Sequence, residues 1–192
     1  MASTGPAPKL KVKEVSSELW ADFEKLFEAK GSPKYCWCMA WRADQKDPRS
    51  KSGAGRKALM KKLVAGDTPV GLIGYLDGEP VAWCSLAPFD TFRGLRKTQE
   101  PTDKVWSVTC FFVRREHRDK GLTKQMLAAA VRHARKRGAK IVEGYGVARS
   151  SPSYRHMGFI GLFKGAGFEE VGREGTRRHV MQLPTRRSRR DA

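Results

Sequence analysis

The chain has 192 residues, 40% apolar and 30% charged, with a formal charge of +18. Such a composition excludes a disordered or fibrous chain and fits one soluble domain with a single sizeable core. No apolar run is long enough to span a bilayer, and Met1 to Lys13 lacks the apolar stretch of a secretory signal, so the expected compartment is the cytoplasm.

Residues 1–9 are small, polar and Pro-containing, and read as a flexible lead. A first strand is expected near Leu10 to Val15. Ser16-Ser17 then opens a helix with Leu19, Trp20, Phe23, Leu26 and Phe27 on one face, and Gly31 stops it. The stretch Tyr35-Cys36-Trp37-Cys38-Met39-Ala40-Trp41-Arg42 is dense in aromatic and sulfur side chains. After a loop from Asp44 to Gly55, a second amphipathic helix is expected from about Arg56 to Ala65. Val70–Leu76 and Pro80–Leu86 read as strands, and Asp77-Gly78 between them is a two-residue hairpin signal. Phe89 to Asp103 is a long polar connection. Val105–Val113 (VWSVTCFFV) is rich in β-branched and aromatic residues and reads as a central strand.

A helix follows from about Gly121 to Arg137, its apolar stripe formed by Leu122, Met126, Leu127, Ala130, Val131 and Ala134. Gly138 caps it. Lys140–Val147 is the next strand, Ala148–His156 a loop, and Met157–Ala166 a short helix ended by Gly167. Phe168–Arg173 and Arg177–Leu183 close the domain as a hairpin. This order predicts an α/β layer with helices on both faces of one sheet. A single domain is expected over 10–184, with a short basic tail at 185–192 ending in Arg186-Arg187-Ser188-Arg189-Arg190. Cys36, Cys38, Cys84 and Cys110 read as reduced thiols. Cys36-x-Cys38 has no second pair to complete a zinc site, and no metal is expected.

The chemistry is concentrated in Val113-Arg114-Arg115-Glu116-His117-Arg118-Asp119-Lys120-Gly121-Leu122-Thr123-Lys124. A strand runs straight into a basic, Gly-containing turn that opens a helix. Helix N-termini offer unpaired N–H groups and a partial positive charge, which suit phosphate oxygens. Gly121 permits close backbone approach, and Arg118, Lys120 and Lys124 add charge. Taken singly, these residues are equally compatible with a basic turn that only starts a helix.

The pattern Arg118-x-x-Gly121-x-Thr123 after VWSVTCFFV resembles motif A of the GNAT superfamily of acyl-CoA N-acyltransferases. Leu162-Phe163-Lys164-Gly165-Ala166-Gly167-Phe168 is similar to that family's helix end closing in Gly-Phe. The Cys36-Trp37-Cys38-Met39 segment resembles a bacterial subgroup. The likeness runs over roughly residues 10–184. Two positions depart from the pattern: Thr123 stands where Gly or Ala is usual, and Phe163 where many members carry a Tyr that protonates the leaving thiolate.

The resemblance implies a mixed, mostly antiparallel sheet with helices on both faces and strands splayed at the CoA site. It implies acetyl transfer from acetyl-CoA to a primary amine of a small molecule or peptide, by direct attack through a tetrahedral intermediate. Phe111, Phe112 and Val113 would pair with the pantetheine arm, with the Val113 N–H stabilising the oxyanion. Amides from Arg118, Asp119, Lys120, Gly121, Leu122, Thr123 and Lys124 would hold the pyrophosphate. Glu143 is the first candidate for general base, ahead of Glu116, His117, His156 and Asp90, and Tyr145 or Tyr154 could replace the missing acid. Trp37, Arg42, Phe89 and Arg93 are the expected liners of the acceptor pocket, with Trp41 and Phe92 beside them. The two arginines would suit a carboxylate or phosphate on the substrate. Core packing is the competing reading for Trp37 and Trp41. Two rival functions are a CoA-binding protein without catalysis, raised by Phe163, and a basic protein associated with nucleic acid or ribosomes, raised by the charge. No membrane partner is expected, and homodimerisation is left open.

Overall fold

In the computed structural model, which describes residues 8–95 and 104–185, the chain runs β1 (Lys11–Glu14), α1 (Trp20–Glu28), α2 (Gly53–Ala65), β2 (Gly71–Leu76), β3 (Glu79–Pro88), β4 (Val105–Val113), α3 (Leu122–Lys136), β5 (Ile141–Gly146), α4 (Ile160–Lys164), β6 (Glu169–Glu174) and β7 (Arg178–Pro184). The lead at 1–7, the connection at 96–103 and the tail at 186–192 lie outside the described residues.

Local chemistry explains most boundaries. Asp77 and Gly78 both take positive φ (49° and 85°), as a tight hairpin between β2 and β3 requires. Helix α2 begins at Gly53 rather than Arg56, because the Ser52 side chain accepts from the Gly55 amide and caps it. Helix α4 is shorter than expected. The chain makes a 3-10 turn at Arg155–Met157, and Gly158 at φ 103° keeps that turn from running on into the helix.

The strands form one sheet in the order β1-β2-β3-β4-β5-β7-β6, antiparallel except for the β4–β5 pair. Every residue of β4 is buried, as a strand covered on both faces must be. Leu122, Met126, Leu127, Ala130 and Ala134 of α3 pack with Phe163 of α4 over Ala82, Cys84, Val108 and Val142. On the opposite face, Phe23, Leu26 and Phe27 of α1 and Met60 and Val64 of α2 pack over Ile73, Trp83 and Phe112. Each of these large side chains contributes about 1.5–3 kcal/mol on leaving water. The Cys-Trp-Cys-Met segment is a turn with left-handed Trp37 and Cys38 (φ 46° and 50°). It sends Trp37 against Phe27 at 5.2 Å, and Cys38 beneath the Trp83 indole, which donates to its Sγ at 3.0 Å.

Candidate active site at the fork between β4 and β5

Strands β4 and β5 pair only from Val105–Ile141 to Val108–Gly144. The cause is a bulge. Ser85 of β3 opposes Cys110 and Leu86 opposes Val108, so Thr109 is an extra residue in β4. A bulge bends the strand and increases its twist. Beyond it β4 stays with β3 as far as Val113, while β5 stays with β7. Val147 then exchanges hydrogen bonds with Gly158 and Ile160, and the Arg155–Met157 turn packs against β4. The outcome is a fork, with Thr109–Val113 unpaired by any strand on its open side. Arg114 N–H donates to Val81 of β3. Backbone direction alternates along a strand, so the N–H groups of Phe111 and Val113 face the fork. Their side chains pack in the α3-side core and that of Phe112 in the α1-side core, so the main chain is what these residues offer.

The basic turn lies at the end of the fork. It contains a 3-10 segment at Arg115–His117, left-handed Asp119 and Gly121 (φ 60° and 72°), and then α3. No described residue accepts from the backbone N–H groups of Asp119 to Lys124. A Cβ placed on Gly121 would meet nothing within 4 Å, so the space beside it is open. The side chains of Lys120 and Lys124 are exposed around it. Arg118 behaves differently: its Nε donates to the Val113 carbonyl at 3.1 Å and ties the turn to the strand end. Glu116 pairs with Arg114 at 2.8 Å on the outer surface.

Polar groups gather on the α1 face of the sheet. Glu143 stands opposite Ser107, one step short of the fork, and is 2% exposed. Its Oε1 accepts from the Tyr145 hydroxyl at 2.5 Å and its Oε2 from Gln182 Nε2 at 2.7 Å. Burial raises its pKa above the usual glutamate value; the two hydrogen bonds oppose that shift, and the nearby charge of Glu174 adds to it. Burial and the charge of Glu143 also drive the Tyr145 pKa up, so that hydroxyl keeps its proton. Thr109 Oγ1 donates to Ser85 Oγ at 3.0 Å, and Arg42 reaches the same hydroxyl. Nearby, a cavity of ≈ 520 Å³ is lined by Arg42, Arg93, Asp90 and Thr91, among others.

The residues expected from the sequence therefore divide. Phe111, Val113 and the turn from Arg118 to Lys124 come together along one edge, Glu143 lies on the α1 face of the sheet, and Arg42 and Arg93 line the cavity, to which Glu143 does not contribute. Trp37 sits in the aromatic cluster with Trp20, Phe23 and Phe27, apart from the cavity lining. Phe89 packs in a third cluster with Tyr145 and Met157. His156 is exposed on the turn beside β4, His117 lies on the basic turn, and Asp90 lines the cavity. Sequence reasoning missed Ser85, Thr109 and Gln182. Only Thr109 leaves a trace: the single polar side chain between Val108 and Cys110 marks where the strand breaks register.

The chain matches the model of the Acetyltransferase (GNAT) family over residues 12–159, and it belongs to that family. No curated protein matches it by sequence. Its fold is similar to that of yncA from Salmonella typhimurium, solved with its cofactor acetyl-CoA, at 16% identity and a TM-score of 0.55 over 94% of this chain and 96% of that one. Diaminobutyrate acetyltransferase from Paenibacillus lautus, in complex with its substrate and coenzyme A, gives 13% identity and 0.53 over 94% and 98%. An uncharacterized protein from Bacillus halodurans gives 12% identity and 0.62 over 91% and 83%. The family uses acetyl-CoA as acyl donor. The residues here fit that donor: free amides and an open glycine cradle suit its pyrophosphate, and an unpaired strand edge suits its amide-bearing arm.

Proposed function

We propose that the protein is an N-acetyltransferase that moves the acetyl group of acetyl-CoA to a primary amine of a small molecule or peptide. The observation that carries this reading is the release of β4 from β5 after Val108–Gly144, which leaves the Phe111 and Val113 amides facing a gap that ends at six unpartnered amides. Acetyl-CoA supplies an activated carbonyl with a good leaving group. The Asp119–Lys124 amides hold its diphosphate, and Phe111 and Val113 pair with its arm. The arm runs from the turn back toward Glu143, so the acetyl carbonyl lies at the apex end of the gap. The N–H that stabilises negative charge developing on its oxygen is that of Phe111 rather than the Val113 N–H expected from the sequence. The Val113 N–H lies at the turn end and pairs with the arm.

The amine arrives from the α1 face and must be neutral to attack. Glu143 draws off its proton, and the raised pKa makes it a stronger base than an ordinary glutamate. The thiolate leaves without a protein acid: Phe163 has no proton to give, and a thiol pKa of about 8.5 makes its anion a tolerable leaving group near neutral pH. Calorimetry with acetyl-CoA and free-thiol release with a panel of amines test the reading together. Saturable binding with amine-dependent thiol release is the expected result. Binding with no release for any amine, amino acid or peptide would leave a CoA-binding protein without catalysis.

A further inference from the structure

The acceptor face holds a charge that the proposed mechanism does not use. Arg42 is 4% exposed. Its Nη2 donates to the Val70 carbonyl at 2.9 Å and to Ser85 Oγ at 3.2 Å, and its Nη1 to Thr91 Oγ1 at 3.2 Å. The Phe92 ring covers the guanidinium at 4.1 Å. Among the described residues no carboxylate forms an ion pair with Arg42, and its Nε has no acceptor. Burial lowers its pKa to about 10, so it stays charged at neutral pH.

A buried ion without a counter-charge costs several kcal/mol. The rim of the same cavity shows the reverse arrangement. Arg49 pairs with Asp47 at 2.7 Å, and Arg93 with Asp44 at 3.6 Å. Cations that water would screen have acids beside them, and the one withdrawn from water has none. An anionic ligand entering the cavity would supply what is missing.

Position narrows the ligand. Ser85 Oγ, which accepts from Arg42, also accepts from Thr109, the bulge residue at the apex of the fork. Two hydrogen bonds therefore separate the guanidinium from the place where β4 opens. Three of the five guanidinium N–H groups are committed to the protein, which leaves two. The two, on Nε and Nη1, lie on different edges of the guanidinium, so each can meet a single oxygen of a small anion such as a carboxylate.

We propose that Arg42 holds the carboxylate of a small amino acid acceptor whose amine points into the fork. This assignment rests on the acyltransferase reading above. It is tested by thiol release with the standard amino acids, β-alanine and 4-aminobutanoate, each compared with its carboxamide. Acids should be acetylated and carboxamides should lose roughly a hundredfold in kcat/KM, mostly through KM, the size of one lost charge-assisted contact. Arg42→Gln should cut kcat/KM for the acids similarly and leave acetyl-CoA affinity unchanged. Arg42→Lys, with the charge but not the planar fork, should fall between. Equal turnover of acids and amides, or an acid-to-amide ratio untouched in Arg42→Gln, would overturn the assignment.

A second measurement does not need turnover. With the CoA loop saturated by coenzyme A, the acetylated acid or β-alanine should raise the melting temperature of the wild type. The matching carboxamide should not, nor should either raise that of Arg42→Gln. Absence of any rise in the wild type counts against Arg42. A rise that depends on Arg42, with no amine acetylated, would sink the acyltransferase reading and leave the carboxylate site standing.

Discussion

The two sides of the fork are made of different materials. The cosubstrate side is main chain from one continuous stretch, Phe111 to Lys124, which supplies strand edge, left-handed turn and helix N-terminus in order. The other side, where we place the acceptor, is side chains from separate segments: Arg42 from the turn after Met39, Ser85 from β3, Thr109 from β4, Glu143 and Tyr145 from β5, and Gln182 from β7. Backbone groups survive almost any substitution, so a backbone site can persist in proteins of 12–16% identity. A side-chain site cannot, and that is where members of one fold part company over the amine they accept.

The largest expected effect strikes the acceptor side alone. Glu143→Gln should lower kcat by about 10²–10⁴, the usual worth of a positioned base, with acetyl-CoA affinity unchanged by calorimetry. Wild-type turnover should rise with pH through the elevated pKa of Glu143, because only the ionised form accepts a proton, and the variant should lose that limb. A loss under tenfold in kcat would move the base elsewhere, with His156 beside β4 the next to test.

Gly121→Val should do the opposite. Its left-handed φ of 72° costs an L-residue roughly 1–2 kcal/mol of stability. The added Cβ meets no protein atom within 4 Å, so the side chain would project into the open space beside the free amides. Acetyl-CoA affinity should fall about 10- to 100-fold, equivalent to one or two charge-assisted contacts. Unchanged affinity would remove the turn from the cosubstrate site and erase the contrast between the two sides.

The same contrast explains what could be read before the fold was known. Strand, turn, glycine and helix start are local events, so VWSVTCFFV followed by Arg118-x-x-Gly121 displays the cosubstrate side in chain order. Glu143 could be named from its strand, yet nothing in Val142-Glu143-Gly144-Tyr145 says that Gln182 will close over it from β7. Trp37 and Arg42 lie in the same aromatic stretch; the left-handed turn at Trp37 and Cys38 sends the first into the core and the second to the cavity. That separation depends on backbone torsions and on Trp83, Val70 and Ser85, far along the chain, which no window of sequence contains.

The fork itself rests on tight packing at its last paired residue. A Cβ on Gly144 would lie 2.6 Å from Cζ of Phe163, whose ring is already held by Gly158 and by Phe168 at 5.3 Å. Gly144→Ala should therefore cost about 1–3 kcal/mol by overpacking. In a chain of this size that is about 2–4 °C of melting temperature per kcal/mol. Adding Phe163→Leu should recover part of the loss, since the smaller side chain frees the space. Failure of the pair to couple would mean that Phe163 does not set the position of β5.

The smallest effect is a change of slope. The folded-state pKa of Glu143 is raised by burial, so the folded protein binds that proton more tightly than the unfolded chain does. The stability linked to it is fully present below the ordinary glutamate value, about 4.3, and is lost as pH climbs through the raised one. Glu143→Gln carries no such linkage. The melting temperature of the variant minus that of the wild type should therefore grow more positive between about pH 4 and neutrality. A flat difference would mean that Tyr145 and Gln182 compensate the carboxylate fully, and that the acceptor side keeps its base ready at no cost to the fold. The free amides of the cosubstrate side do not titrate and add nothing of this kind.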